Sequence, residues 1–125
     1  IHAERNYPVR KIPSDRDVPL PDATDDAAYL AAVREVLPPL LDRLRPDIVF
    51  FNAGVDPHCE DRLGLLDLTD EGLAAREAMV FDMGLRRGVP VTGVLGGGYS
   101  RDLTALARRH ALLHQAGAAA LKAWT

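Results

Sequence analysis

Three observations make this an α/β chain with parallel strands. Two apolar runs, Ile48-Val49-Phe50-Phe51-Asn52 and Val91-Thr92-Gly93-Val94-Leu95, have the length and composition of buried strands. Stretches with helical apolar spacing alternate with them in the order helix, strand, helix, strand, helix, which implies right-handed crossovers. Each strand also runs straight into an unusual loop: Ala53-Gly54-Val55-Asp56-Pro57 after the first and Gly96-Gly97-Gly98-Tyr99 after the second. In open α/β sheets, ligands bind at the carboxyl ends of strands.

Residues 4–15 are polar and rich in Arg and Pro, and read as loop. Asp17-Val18-Pro19-Leu20 suits a short edge strand, because Pro19 cannot donate to a central ladder. Pro21-Asp22-Ala23-Thr24 is a turn, and Thr24 or Asp25 is the expected cap of the first helix. Tyr29, Leu30, Val33, Leu37, Leu40, Leu41 and Leu44 form its apolar stripe. Pro38 and Pro39 should kink that helix or restart it. After the first loop, Thr69 is placed to cap a helix from Asp70 to about Arg87, with Leu73, Met79, Val80 and Met83 inward and Gly88 as its stop. Ser100 or Asp102 opens the last helix, whose predicted stripe is Leu103, Leu106, Ala107, His110 and Leu113. Gly117 either ends that helix or lets it run on to Trp124.

The chain's 125 residues fit one domain, 1–125, without repeat or linker. A net charge of −3 with no basic stripe argues against direct nucleic-acid binding. No apolar run approaches the ~18 residues that span a membrane, so no membrane partner is expected. Cys59 is the only cysteine, which excludes an internal disulfide and fits a reducing, cytoplasmic location. Two strands make a very small sheet, although their unbroken apolar sequences call for cover on both faces. The first residue is Ile1, and the expectation is a fragment whose N-terminal half supplies further strands.

Candidate chemistry gathers at the strand ends. Asp56 is either a metal- or substrate-orienting carboxylate or a turn-forming Asp before Pro57. His58 completes an Asp-x-His triplet, but Pro57 breaks the regular strand that would set both side chains on one face. Cys59 has no C-x-x-C partner and reads as a loop thiol. Gly96, Gly97 and Gly98 permit close backbone approach and unusual dihedrals. They suit a tight turn or a nucleotide- or phosphate-binding module, though neither G-x-G-x-x-G nor a P-loop ending is present. Tyr99 packs, or donates to a developing oxyanion. His110 and His114 have i,i+4 metal-pair spacing without an acidic third ligand, beside Arg108 and Arg109. Asp61 and Asp67 read as turn-stabilising residues.

Together these stretches resemble the zinc-dependent histone deacetylase family, with its bacterial deacetylase-like, acetoin-utilisation and acetylpolyamine amidohydrolase relatives. The match is closest to bacterial members related to class IV. It is carried by Ile1-His2-Ala3-Glu4-Arg5-Asn6-Tyr7-Pro8, Val18-Pro19-Leu20-Pro21-Asp22, Asn52-Ala53-Gly54-Val55-Asp56 with Asp61-Arg62-Leu63-Gly64, and Leu95-Gly96-Gly97-Gly98-Tyr99. The resemblance implies the C-terminal half of an arginase/deacetylase-like three-layer fold with a parallel sheet. It implies Asp56 as one of three Zn2+ ligands, Tyr99 as the catalytic phenol, and Gly97 and Gly98 as substrate-binding residues along an acyl-lysine channel. The implied substrate is acetyl-lysine or a small acetylated amine. A monovalent cation site near Ile1 would be incomplete. The family's paired histidines and its Asp-x-His ligand pair are absent, so the missing N-terminal half is the implied partner and the chain alone is expected to be inactive. A non-catalytic piece that self-associates, a homo-oligomer, stays open beside these readings.

Overall fold

A computed structural model describes residues 1–125. Its elements are β1 (His2–Ala3), β2 (Pro19–Leu20), α1 (Asp26–Leu44), β3 (Val49–Ala53), α2 (Asp70–Leu85), β4 (Val91–Leu95) and α3 (Leu103–Trp124). β3 and β4 pair in parallel, Val49 opposite Val91 through Ala53 opposite Leu95. β1 and β2 form a second parallel pair. The backbone explains why Pro19 fits there. The N–H groups of His2 and Glu4 donate to the carbonyls of Val18 and Leu20, so no Pro19 N–H is needed.

The caps resolve as side-chain chemistry. Asp25 accepts from Ala28 N–H, while the Thr24 hydroxyl turns back to Pro21 C=O. Thr69 caps α2 and Asp102, not Ser100, caps α3. α2 stops two residues earlier than expected, and Gly88 supplies the left-handed turn at φ +67°. The restart expected in α1 does not occur, and of the two courses open at Gly117 α3 takes the longer. α1 runs unbroken through Pro38 and Pro39. The carbonyls those prolines leave free belong to Arg34 and Glu35, both exposed, where water can satisfy them. α3 continues through Gly117, which Phe81 approaches closely.

Leu68 and Leu73 lie at the centre of the larger core with Ala3, Tyr29, Leu30, Val33, Val55 and Leu66. The smaller core joins Ala53, Phe81 and Leu113 beneath the β3–β4 pair. Cover is therefore one-sided. On the opposite face Phe50 is 72% exposed, and Thr92 and Val94 also face out. A cleft of about 300 Å³, lined by Ile1, Val18, Val33, Leu37, Phe50 and Phe51, opens between the two strand pairs. The predicted α3 stripe is rotated. Leu103 and Ala107 are exposed, while Arg109 is buried because it reaches Asp70 and Glu60.

α2 also buries Arg76 and Glu77, with Glu77 fully sequestered. Arg76 donates to both Glu77 carboxylate oxygens, at 2.6 and 3.3 Å, and its guanidinium stands 5.6 Å from the Phe51 ring centroid. Burial pushes the Glu77 carboxyl upward against the pull of Arg76. Removing one partner strands a buried charge, so Glu77→Ala should cost roughly 3–5 kcal/mol in denaturant unfolding. Replacing both residues together, Arg76→Met with Glu77→Leu, should recover most of that loss. A single-variant loss under about 1 kcal/mol would contradict the pairing.

Candidate functional site

The first loop leaves β3 with Val55 buried as its anchor. Val55 N–H crosses to Gly97 C=O at 2.6 Å and so joins the two strand-end loops. His58 N–H returns to Val55 C=O at 3.1 Å, and Leu68 N–H donates to Pro57 C=O at 3.1 Å. His58 itself is buried. Its Nδ1 accepts from Glu60 N–H at 3.0 Å, which leaves the proton on Nε2, 3.1 Å from Asp70 Oδ1. Arg109 Nε donates to the same Asp70 oxygen at 2.9 Å and its other arm pairs with Glu60. His58 is thus engaged with α2 and α3. Cys59 is exposed, and partial desolvation together with the neighbouring Asp67 and Glu60 carboxylates pushes its thiol up, away from thiolate reactivity.

The second loop is shaped by lack of room. A Cβ on Gly97 would stand 2.5 Å from Asp56 Oδ1 and 3.4 Å from Tyr99 Cε2. The Asp56 carboxylate and the Tyr99 ring therefore flank the same backbone point. A Cβ on Gly54 would also meet Asp56 Oδ1, at 2.6 Å, so two glycines cradle the carboxylate. Gly98 is pressed against Val55, Leu106 and His110, and Gly96 against Asn52 and Gly54. None of Gly96, Gly97 or Gly98 has positive φ. Close approach, not unusual dihedrals, is what requires glycine here.

Asp56 is half-buried. Burial pushes its carboxyl up, nearby Asp61 adds to that, and a backbone hydrogen bond and buried Arg76 oppose it. Tyr99 is 48% exposed. A cavity of about 160 Å³ beside Asp56 is lined by His2, Asn6, Asn52, Asp56, Arg76 and Gly97, among others, and Tyr99 lies outside that lining. His2 is held by Asp17, 2.9 Å away, and by Ala3 C=O. No group of three His, Cys, Asp or Glu side chains converges anywhere in the chain. Asp56 fits the part of one carboxylate ligand, but these residues do not form a closed metal site. His110 is half-buried beneath Gly98 and His114 is exposed.

Sequence reasoning missed three contributors. Arg76 and Glu77 fall on the stripe of Leu73 and Val80, a spacing that marks inward positions whatever the residue type. Asp61 was read as local turn chemistry, which covers its bonds to Leu63 N–H and Gly64 N–H at 2.9 and 2.8 Å. Its second oxygen also accepts from Tyr99 N–H at 2.7 Å, a contact 38 residues away that leaves no local signal.

Residues 2–115 match the family model described as histone deacetylase domain. An uncharacterized protein of Picosynechococcus sp. is 46% identical over 116 residues, which cover 93% of this chain and 39% of that protein. A crystallised HDAC homolog complexed with SAHA superposes with a TM-score of 0.69 at 24% identity, over 93% of this chain and 33% of that one. The acetylpolyamine aminohydrolase of Burkholderia pseudomallei gives 0.66 at 23% identity, over 80% and 27%. The last two likenesses concern the fold. The chain spans about two fifths of the length of the Picosynechococcus protein.

Gly97→Ala tests the cradle. Overpacking against Asp56 should cost about 1–3 kcal/mol in chemical unfolding and shift the Asp56 and Tyr99 resonances. Gly84→Ala, which meets Val91, should disturb stability but leave those two resonances in place. Unshifted Asp56 and Tyr99 signals in Gly97→Ala would refute the cradle.

Proposed function

This chain belongs to the histone deacetylase family, and on that premise we propose that it forms part of a zinc-dependent amidohydrolase removing acetyl groups from lysine side chains or small acetylated amines. One observation carries this reading: Asp56 and Tyr99, at the carboxyl ends of two paired parallel strands, flank the same point at Gly97. Asp56 is assigned as one metal ligand, with further ligands from outside residues 1–125. Zinc, when bound, supplies Lewis acidity and lowers the pKa of a water toward about 7. Tyr99 donates its phenolic hydrogen to the oxyanion that develops from the acetyl carbonyl. Gly97 and Gly98 border the acyl chain, where a side chain would obstruct it.

The phosphate-binding alternative is disfavoured by charge, and two of the donors it would use are taken. Tyr99 N–H is already given to Asp61 and Ala105 N–H to Asp102, and Asp56 lies against Gly97. An anion at this helix start would lie beside the carboxylates of Asp61 and Asp102, which repel it. A second reading does have an observation in its favour. The exposed face bearing Phe50 and Val94 suits packing against another polypeptide, a second copy included.

In a deacetylation assay with added zinc, residues 1–125 alone should show no turnover, and the intact protein should be active and lose activity to a chelator. In that active protein Tyr99→Phe should lower kcat by about 10²–10³. Turnover by the 125-residue chain, or a Phe variant at full rate, would contradict the assignment. Light scattering of the chain tests the exposed face: association that Phe50→Ser abolishes is the expected outcome of that second reading.

A further inference from the structure

We propose that Asp61 is a positioning residue for the Tyr99 phenol, a role that rests on the deacetylase reading above. Its carboxylate spans the two strand-end loops. Oδ1 accepts from Leu63 N–H at 2.9 Å and Gly64 N–H at 2.8 Å, and Oδ2 accepts from Tyr99 N–H at 2.7 Å. Asp61 is itself held by its N–H, which donates to His58 C=O at 2.9 Å. The same loop closes tightly on Asp56, because a Cβ on Gly64 would collide with the Asp56 carbonyl oxygen. Asp61 and Asp56 therefore move as one loop.

The second loop has two ties to the first. One is Val55 N–H to Gly97 C=O; the other is Tyr99 N–H to Asp61. Asp61 provides the only hydrogen bond that holds residues 98–101 to the first loop. Beyond it the chain passes through Ser100, whose hydroxyl oxygen accepts from Asp102 N–H, and into α3. Tyr99 is half exposed, so packing alone does not fix its side chain. Losing the Asp61 bond would leave the Tyr99 backbone free to rotate, and the hydroxyl at the far end of the side chain would swing furthest. Misplacement of such a group by about 1 Å costs on the order of a hundredfold in rate.

Asp61→Asn is the discriminating variant. It keeps the shape and one carbonyl acceptor. With that oxygen on Leu63 and Gly64, the amide NH₂ faces Tyr99 N–H, donor to donor. In the intact protein the expected result is a kcat lowered roughly ten- to a hundredfold, with KM little changed and the melting temperature near that of the parent. The same change made on top of Tyr99→Phe should cost almost nothing further, since no phenol is left to position. An equal loss in both backgrounds, or no loss in the parent, overturns the proposal. A second readout does not depend on turnover. In the Asn variant the Tyr99 amide should lose hydrogen-exchange protection and the signal of a ring-labelled Tyr99 should shift or broaden. If the intact protein deacetylates nothing, the functional reading fails, while an unchanged Tyr99 amide and ring signal would overturn the tether itself.

Discussion

Gly97 has no room for a side chain, and the arrangement at the strand ends depends on that. A Cβ there would press on the Asp56 carboxylate and touch the Tyr99 ring. Because the space is left to backbone alone, the second loop can lie against the first, and Val55 N–H can reach Gly97 C=O. Parallel pairing of β3 with β4 sets the two loops at the same height, and the missing Cβ lets them close. A half-buried carboxylate and a half-exposed phenol thereby meet at one point. That pairing suits chemistry in which a ligand atom and a hydrogen-bond donor act on opposite sides of one carbonyl.

Behind the loops stand buried charges that cost desolvation and are tolerated only when paired. Glu77 is sequestered with Arg76, whose guanidinium also borders the cavity beside Asp56. His58, Asp70, Arg109 and Glu60 form a second network that ties the first loop to the start of α2 and the middle of α3. The first network lies on α2 and the second joins the first loop to α2 and α3, so both brace the loops from the helix side. The outer face of β3 and β4 lacks any such support, and Phe50 is left in solvent.

The α/β order, the parallel pairing and the two site loops were legible because they rest on local signals. Apolar runs of strand length end at glycine, and capping residues sit just before helical stripes. Asp56, Gly97, Gly98 and Tyr99 are adjacent to those strand ends, so position in the sequence was enough to nominate them. The β1 strand could not be read from His2-Ala3, because two residues carry no period and the pairing with Pro19-Leu20 is a tertiary event. The restart expected at Pro38 and Pro39 does not occur, and the carbonyls that lose their partners there are exposed to water. Arg109 lies off the predicted apolar stripe of α3, and partners on a loop and another helix draw it in. Asp61 combined both situations, with a local half visible in Leu63 and Gly64 and a distant half at Tyr99.

Asp56 and Tyr99 are proposed to face one metal-bearing site. Anomalous diffraction at the zinc absorption edge, from crystals of the intact protein, tests it most directly. The expected result is one zinc peak about 2.0–2.2 Å from an Asp56 carboxylate oxygen, with the Tyr99 hydroxyl turned toward the open side of the metal. Zinc bound elsewhere in the protein, with Asp56 uncoordinated, would contradict it.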